Sequence, residues 1–336
     1  MRGFDLVRKP KVTMKDVAEL AGVSISSVSH VINKTRRVEE DTKGNILQAI
    51  QQLNYTPNLF ARSLKGKGTH LLGVIISDIR DSFFAEIMKS IEFTALEYGY
   101  NVILCDSENK WDKERFFLNT FISKGIDGII FAPCDITKID QNLIASKVPF
   151  VQIDRKIEQY QADFVGVDNV RSSRIATEFL IGEGCRRIGY IGYNDHVFTQ
   201  KPRLQGCREA LQAQNIYDDA LISQQPYHTR VDIGNLKDFF YRNPSIDGLV
   251  CCNNNCCYEA VLEIERLGIQ IPDNIKIITF DDSKWFDFLK YPISVIVQPT
   301  ESIGRTAVEG VVDKIEKGVD SVRKEIILDT EFIFRR

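Results

Sequence analysis

Near the N-terminus, apolar residues recur with the spacing of a short helix. Residues at i, i+3, i+4 and i+7 fall on one helix face, and here these are Met14, Val17, Ala18 and Ala21. Thr13 and Asp16 are spaced as a capping box at the start of this helix, and Gly22 follows as a turn residue. The pattern predicts a first helix that ends in a tight turn.

A second short helix follows this turn and is amphipathic. Ser24 is placed to cap it, and the apolar positions on its inner face are Val28, Val31 and Ile32. Its other face carries small hydroxyls, an imidazole and an amide, which suit the base edges of a DNA major groove. Two helices in this arrangement are typical of a helix-turn-helix, although a small helical bundle with a solvated face is the alternative. The candidate DNA-contacting residues here are Thr13, Ser24, Ile25, Ser26, Ser27, His30 and Asn33.

A third amphipathic helix is predicted over 39–54, followed by a short segment at 57–65 that contains basic residues. Two helical turns are not stable alone in water, so this segment needs a partner that orders it. Leu64 between Arg62 and Lys65 suggests an apolar wedge for a minor groove, with the cations on phosphates. We call this segment, residues 57–65, the hinge, and its candidate DNA-contacting residues are Asn58, Arg62, Leu64 and Lys65. We expect a DNA-binding domain over 1–65, a linker over 66–70 and a core over 71–336.

From Leu71 onward, predicted strands alternate with predicted helices. This order is typical of parallel βαβ units with helices on both sheet faces. The predicted strands are 71–77, 101–106, 128–132, 149–154, 164–168, 187–192, 248–252, 275–280 and 294–298. The predicted helices are 83–98, 113–124, 171–182, 204–213, 257–267 and 302–317. So many strands exceed one sheet of this size, which predicts an α/β core of two doubly wound parallel-sheet subdomains with a cleft between them.

Charge is distributed unevenly along the 336 residues. Residues 1–68 carry a net charge of +6, while the whole chain is −3, so the remainder is −9. A basic N-terminal segment on an acidic core favours contact with nucleic acid through that segment, because neutralised phosphates release counterions.

Several other classes of protein are disfavoured. No segment resembles a signal peptide or an apolar membrane span, and the eight cysteines have no secreted pattern, so a cytoplasmic protein is expected. The cluster at 251–257 has no CxxC spacing and no nearby histidine, so buried packing is favoured over a metal site. Phosphate-binding glycine loops and catalytic motifs are absent, so no enzyme, catalytic residue, metal or cofactor is predicted.

Several segments in order together resemble one protein family. They are VTMKDVAELAGVSISSVSHVIN, NYTPNLFARSLK, FFAEI, IDGII, PFVQIDR, VGVDN, RRIGYIG, RLQGCREAL and IKIITFDD. From Val12 onward the chain looks like a LacI/GalR-family transcriptional regulator. The resemblance implies a hinge helix and a periplasmic-binding-protein-like core whose subdomains exchange chain near 154–162, 290–298 and 326–330. His30 departs from the family, which commonly has Arg there, and Asn254 stands where Asp is common.

The resemblance also implies an effector site between the subdomains, at the polar carboxyl ends of the strands. Its candidate residues are Phe83, Phe84, Asp154, Arg155, Thr199, Arg203, Asn253, Asp281 and Trp285, although packing is the alternative for the three aromatic residues. Carboxylates, amides and an arginine fork suit a sugar or sugar acid. We therefore expect a homodimeric repressor of a carbohydrate-utilisation operon that binds double-stranded operator DNA. A regulator that uses a purine or other metabolite as corepressor, or a solute-binding protein, is the alternative.

Overall fold

The computed structural model describes residues 12–33, 36–55, 68–193, 199–225, 233–318 and 322–335. The chain divides into two compact units, Met1–Thr69 and His70–Arg336. No helix in the described ranges is both long enough and apolar enough to cross a bilayer.

The described part of the N-terminal unit, residues 12–33, 36–55 and 68–69, contains three helices. Its helices are α1 (Met14–Ala21), α2 (Ile25–Asn33) and α3 (Glu40–Gln52). The predicted inner faces meet in one small core, with Val17 and Val28 fully buried against Ile46. The helical spacing of apolar residues therefore correctly predicted all three helices, and α3 is shorter at each end than the predicted 39–54.

The larger unit is an α/β core with two six-stranded sheets. The first sheet has the order β11-β5-β4-β3-β1-β2 and the second has the order β12-β10-β9-β8-β6-β7. The first sheet is built from β1 (Leu71–Ile76), β2 (Asn101–Asp106), β3 (Gly128–Phe131), β4 (Phe150–Ile153), β5 (Asp163–Val167) and β11 (Glu325–Leu328). The second is built from β6 (Ile188–Tyr193), β7 (Ile222–Gln225), β8 (Gly248–Cys251), β9 (Lys276–Phe280), β10 (Ser294–Val297) and β12 (Glu331–Ile333).

Helices cover both faces of these sheets. The helices are α4 (Ser82–Glu97), α5 (Trp111–Ser123), α6 (Gln141–Ser146), α7 (Asn169–Gly182), α8 (Gln200–Ala213), α9 (Ile233–Arg242), α10 (Asn254–Arg266) and α11 (Thr300–Lys317). The two sheets bury separate apolar clusters, so the expected α/β architecture of two doubly wound subdomains is confirmed.

The chain passes between the subdomains three times, but not at all three expected places. Both β4 and β5 belong to the first sheet, so the crossing expected at 154–162 is wrong; the first crossing lies between β5 and α7. The second follows β10, at residues 298–299, and overlaps the end of the expected 290–298. The third lies between β11 and β12, within the expected 326–330.

Some short elements carry no clear sequence signal. Strands β7, β11 and β12 and helices α6 and α9 were not predicted, and β12 pairs antiparallel with β10. Strand β11 pairs with β5 of the first sheet, with Glu325 opposite Phe164. Its positions alternate between exposed and half-buried, in contrast to the fully buried central strand β3.

Candidate DNA-binding and effector sites

Local hydrogen bonds fix the start of α1, and a glycine ends it at the turn before α2. The Thr13 hydroxyl accepts from the Asp16 amide at 3.4 Å, and the Asp16 carboxylate accepts from the Thr13 amide at 2.6 Å. The predicted capping box is therefore confirmed. Gly22 ends α1 with φ +67°, a left-handed conformation that glycine adopts without steric cost.

The start of α2 carries a cluster of hydroxyl groups. The Ser24 hydroxyl accepts from the Ser27 amide at 3.2 Å, which confirms its capping position. It also lies 2.7 Å from the Ser26 hydroxyl and 2.9 Å from the Ser27 hydroxyl. Next to this cluster, Ile25 is 48% exposed. The first turn of α2 therefore presents both hydroxyls and an apolar side chain to solvent.

Of the remaining DNA-contact candidates, only His30 has a described side chain. His30 lies in the last turn of α2 and is half-buried. Asn33 is the last residue of this helix, and its side chain lies outside the described part of the chain. The hinge candidates also lie outside the described residues: Asn58, Arg62, Leu64 and Lys65.

In the core, eight of the nine effector candidates are placed around the cleft. Seven of them line one small cavity together with strand-end residues: Phe83, Phe84, Asp154, Arg155, Arg203, Asn253 and Asp281. Thr199 lines the same cavity at the start of α8. Asp154 and Asp281 follow β4 and β9 with φ +60° and +66°. These left-handed conformations at two strand ends turn both carboxylates towards the cleft.

Arg203 is held firmly within this cavity. It lies on α8 and is only 3% exposed. Its Nε donates to the Asn169 side-chain oxygen at 2.7 Å, and its Nη1 donates to the Cys252 carbonyl at 2.5 Å. The guanidinium carbon also lies 3.8 Å from the ring centroid of Phe280. These contacts fix the plane of the guanidinium before any ligand arrives.

Asp281 lines the same cavity, and its carboxyl group has a raised pKa. Gln298 donates its side-chain N–H to the Asp281 carboxylate at 2.7 Å. Burial raises the pKa of Asp281 to about 7, although Arg203 favours the charged form and opposes this shift. Burial also raises the pKa of Asp154, against the opposing charges of Arg155 and Arg203. The Asp281 carboxyl group can therefore accept or donate hydrogen bonds near neutral pH.

Arg155 is positioned by the loop that follows β2. Its Nη1 donates to the Asn109 side-chain oxygen at 2.6 Å and to the Pro133 carbonyl at 3.3 Å. Its Nε lies 3.3 Å from the Asp154 carboxylate. Asn109 and the preceding Glu108 both have positive φ, at +52° and +50°. Two successive left-handed residues bend this loop so that Asn109 reaches Arg155.

Several residues that support the site were not among the predicted site residues: Asp81, Asn109, Asn169 and Gln298. Asp81 lines the cavity and caps α4, accepting from the Phe83 amide at 3.1 Å. Asn169 and Gln298 lie at strand ends, two residues after β5 and one residue after β10, where polar side chains are expected to face a ligand. Asn109 lies three residues beyond its strand, and its role depends on backbone conformation, which the sequence does not show.

Trp285 does not line the cavity, in contrast to its expected place in the effector site. It packs on Tyr258 and Phe286, with ring centroids 5.5 and 4.3 Å away. The loop after Asp281 forms a short 3-10 helix over Lys284–Phe288, which turns Trp285 onto the core of the second subdomain. Trp285 follows Asp281 by four residues, but its side chain packs on the core and does not share the cavity with Asp281.

Asn254 joins the two subdomains at the edge of the cleft. It begins α10 in the second subdomain and donates its side-chain N–H to the Ser82 hydroxyl of α4 at 2.9 Å. Beside it, the Asn253 side chain caps α10 and accepts from the Cys256 amide at 2.9 Å. Asn253 therefore has a structural role in addition to lining the cleft.

The cysteine cluster lies behind the cleft and is packed into the core. Cys251, Cys252, Cys256 and Cys257 are all buried and unbridged. The Cys252 and Cys256 sulfurs lie 3.3 Å apart. Burial raises the pKa of the Cys256 thiol well above its ordinary value, which makes it a poor nucleophile. Within the described ranges, no group of three or more His, Cys, Asp or Glu side chains is arranged to hold a metal ion.

Two known families match separate parts of the chain, one within each compact unit. Residues 13–58 match bacterial regulatory proteins of the lacI family. Residues 177–336 match a periplasmic binding protein-like domain. One relative is the HTH-type transcriptional repressor PurR of Vibrio campbellii, 30% identical over 326 residues, with 94% of this chain and 97% of that protein covered. Another is the ribose operon repressor of Halalkalibacterium halodurans, 30% identical over 315 residues, with 94% of each chain covered.

Solved structures extend these similarities. The transcriptional regulator CelR in complex with cellobiose is 25% identical, with 97% of this chain and 99% of that chain covered and a TM-score of 0.71. The Lac repressor dimer bound to operator and the anti-inducer ONPF has a TM-score of 0.82 over 97% of this chain and 98% of that chain. At 21% identity, it supports the shared fold alone. The relatives are transcriptional repressors and not enzymes.

Proposed function

The chain belongs to the lacI family of bacterial regulatory proteins and is a DNA-binding transcriptional repressor, and we propose that it controls a carbohydrate-utilisation operon in response to a small sugar. The observation that carries the proposal is the set of buried carboxyl and guanidinium groups that converge on the cleft. Sugars carry many hydroxyls, each of which can donate to a carboxylate or accept from an arginine.

In the DNA-binding unit, we propose that α2 enters the major groove of the operator. The hydroxyls at its first turn provide hydrogen-bonding groups for base edges or phosphates, and exposed Ile25 provides an apolar contact for a thymine methyl. The helix N-terminus also attracts phosphate through its partial positive charge.

Replacement of Ile25 tests this assignment, because alanine keeps the helix but removes the apolar contact. We expect Ile25→Ala to weaken binding to an operator selected from random duplexes by about 1 kcal/mol or more, measured by fluorescence anisotropy. Leu47→Ala is the matched control, since Leu47 is 51% exposed on α3 and not on α2. Equal effects of the two changes would exclude a specific role for Ile25.

In the cleft, the balance of charge favours a neutral ligand over an anion. Four carboxyl groups line the cavity, against the two guanidinium groups of Arg155 and Arg203; they belong to Asp78, Asp81, Asp154 and Asp281. Both arginines already have oxygen partners, so neither is an unpaired cation waiting for a phosphate or carboxylate. A sugar is therefore a better fit than a sugar acid, which would bring a further negative charge next to four carboxyl groups.

We propose that the effector acts by changing how the two subdomains close. The cleft residues come from both sheets, and a ligand that contacts both stabilises the closed arrangement. The three connections between the subdomains allow them to rotate about a common hinge. Closure or reorientation of the core then changes the DNA affinity of the N-terminal unit, with a sign set by the state that the effector favours.

The effector proposal is tested by a thermal-shift screen of neutral sugars, sugar acids, sugar phosphates and purines, followed by calorimetry. A ligand that binds only the folded protein raises its Tm. We expect neutral sugars to give the largest shifts, and a preference for purines or anions would contradict the proposed effector class.

Two arginine variants test whether the effector binds in the cleft. Arg203→Gln should abolish most of the Tm shift, because it removes the fixed guanidinium and leaves Asn169 and Cys252 without their partner. Arg208→Gln is the matched control, since Arg208 is exposed on the same helix and lies over Tyr217. Both variants should still bind operator DNA, and an equal loss of effector binding in both would misplace the site.

We also propose that the repressor is a homodimer, so that two copies of α2 read a pseudo-palindromic operator. Exposed apolar side chains on both subdomains support this proposal. Phe93 and Leu96 are 60% and 59% exposed, one helical turn apart on α4. In the second subdomain, Phe288 is 88% exposed. Large exposed apolar side chains in such numbers are typical of protein interfaces.

A further inference from the structure

The effector cleft consists of two chambers of very different size. The inner chamber, around Arg203 and Asp154, has a volume of about 40 Å³. The outer chamber has a volume of about 480 Å³. The two share three lining residues, Phe83, Asp281 and Gln298, so they are neighbouring parts of one passage.

The inner chamber holds little more than one water molecule, whose share of liquid volume is about 30 Å³. A sugar ring enters it only when the subdomains separate. The outer chamber, in contrast, is already within the range of about 300–1,000 Å³ that is typical of small-molecule sites. Much of the space available to a ligand therefore lies outside the inner cluster of charged groups.

The walls of the outer chamber come from three parts of the core. Ser82, Ala85 and Glu86 lie on α4 of the first subdomain, and Ser283 and Lys284 lie on the loop after β9 of the second. The third wall is Thr300, at the chain crossing between β10 and α11. A molecule in this chamber would contact both subdomains and the connection between them.

The chemistry of these walls suits a hydrated, uncharged group. Three hydroxyls, from Ser82, Ser283 and Thr300, can donate to and accept from ligand hydroxyls. The position of the Ser82 hydroxyl is fixed by its hydrogen bond from Asn254 across the cleft. The charged walls include the acidic Glu86, Asp282 and Asp287 against the basic Lys284, which disfavours an anionic group.

We infer that the outer chamber is a second subsite, which binds the distal unit of a neutral two-unit glycoside such as a disaccharide. This inference rests on the proposed sugar effector. The terminal ring meets Arg203 and Asp281 at the inner end of the passage, and the second ring occupies the chamber between α4 and the loop after β9. The preferred effector is therefore a disaccharide and not its component monosaccharide.

Calorimetry with matched sugars tests the subsite on the full-length protein. The probes are glucose with maltose and cellobiose, galactose with lactose, and xylose with xylobiose. We expect at least one disaccharide to bind about tenfold or more tightly than its own monosaccharide. Ala85→Trp fills the outer chamber from an exposed position on α4, and should remove that difference while the monosaccharide affinity stays within about twofold. Ala85→Ser is the matched control and should keep the preference for the disaccharide.

The outcomes separate this inference from the function on which it rests. Monosaccharides that bind as tightly as all the disaccharides would overturn the second subsite and leave the sugar effector in place. The second subsite would also be overturned if Ala85→Trp weakened the binding of a disaccharide and of its monosaccharide equally, or if it weakened neither. If no neutral sugar binds the wild-type protein or shifts its Tm, both the effector class and the subsite are wrong.

Discussion

At the scale of single residues, the most informative group is Asp281. It occupies a left-handed backbone position, accepts from Gln298 and is buried beside other carboxyl groups. The left-handed backbone and the burial of the carboxyl group both cost free energy in the absence of ligand. A residue kept in such a state is prepared for a partner that supplies hydrogen-bond donors, which is what the hydroxyls of a sugar do.

This state gives a pH-dependent prediction for Asp281→Asn. Burial raises the pKa of Asp281 to about 7, so the folded protein favours the protonated form. The stability that this group contributes is fully present below its ordinary pKa of 3.8 and is lost as pH rises through about 7. Asparagine tolerates the left-handed conformation, keeps an acceptor for Gln298 and carries no charge at any pH. The variant should therefore exceed the wild type in stability by an amount that grows between pH 5 and pH 8, on the order of 1–3 kcal/mol.

Thermal unfolding at both pH values measures this gain. The matched control is Asp273→Asn, since Asp273 is an exposed carboxylate in the same subdomain. A gain for Asp281→Asn that is the same at pH 5 and pH 8 would contradict the proposed electrostatic cause. The variant should also bind the effector more weakly, because it loses the stronger charged acceptor.

At the scale of elements, the turn before α2 provides a second prediction. Gly22 has φ +67°, so alanine there must adopt a left-handed conformation that costs about 1 kcal/mol or more. No atom lies within 4 Å of the added Cβ, so the cost is conformational and not a clash. Gly44 lies exposed in the middle of α3 with equally open surroundings, and alanine there should stabilise the helix by about 0.5–1 kcal/mol.

Hydrogen exchange of α1–α3 amides in the full-length protein distinguishes these two glycines. Protection should fall in Gly22→Ala and rise in Gly44→Ala. Operator affinity should fall with the first change, since α2 depends on the turn for its position. Similar behaviour of both variants would mean that the turn is not the constrained element that its backbone angles indicate.

The contact between α7 and α8 provides a third prediction. A Cβ at Gly206 on α8 would lie 2.1 Å from the Val170 carbonyl oxygen and 2.9 Å from the Arg174 amide nitrogen on α7. Since these are backbone atoms, the two helices would have to separate, and Gly206→Ala should destabilise the core by about 1–3 kcal/mol. Gly182→Ala, at the end of α7 with no atom within 4 Å of the new Cβ, is the control and should cost nothing. Denaturant unfolding compares them, and a neutral Gly206→Ala would contradict the close packing.

Element by element, local signals predicted much of this fold. The Thr13–Asp16 box, the Ser24 cap and the helical spacing placed α1 and α2 well, because these signals act within a few residues. The first chain crossing, which the resemblance implied at 154–162, was misplaced because β5 pairs with β4, and only pairing between strands decides which sheet each joins. Predictions for the candidate site differ in the same way. The positions of Asp154 and Asp281 at strand ends placed them correctly at the cleft. The prediction for Trp285 was wrong, because its spacing from Asp281 does not reveal the 3-10 helix that contains it.

At the scale of the whole molecule, the proposed homodimer can be tested by a substitution that places one charge on its proposed interface. Phe93→Glu places a carboxylate on the exposed apolar face of α4 and should convert the dimer to a monomer in sedimentation velocity. Ile144→Glu is the control, because Ile144 is 45% exposed on α6 without a second large exposed apolar residue on that helix. Operator affinity should fall only in the first variant. A wild-type protein that sediments as a monomer would remove the dimer proposal.

The order in which the chain builds the core has a consequence for its synthesis. The first subdomain is not finished when its first five strands are made, because α11 supplies Ile303, Val308 and Val311 to its core and β11 completes its sheet. These pieces are translated only after the whole of the second sheet except β12. At about 5–20 residues per second, the ribosome needs roughly 8–30 s to cover the chain of about 160 residues between β5 and β11. During that interval the nascent repressor already carries its complete DNA-binding unit beside an incomplete sensor, so premature termination after β10 would release a chain that retains α1–α3 but lacks the last helix of its first subdomain.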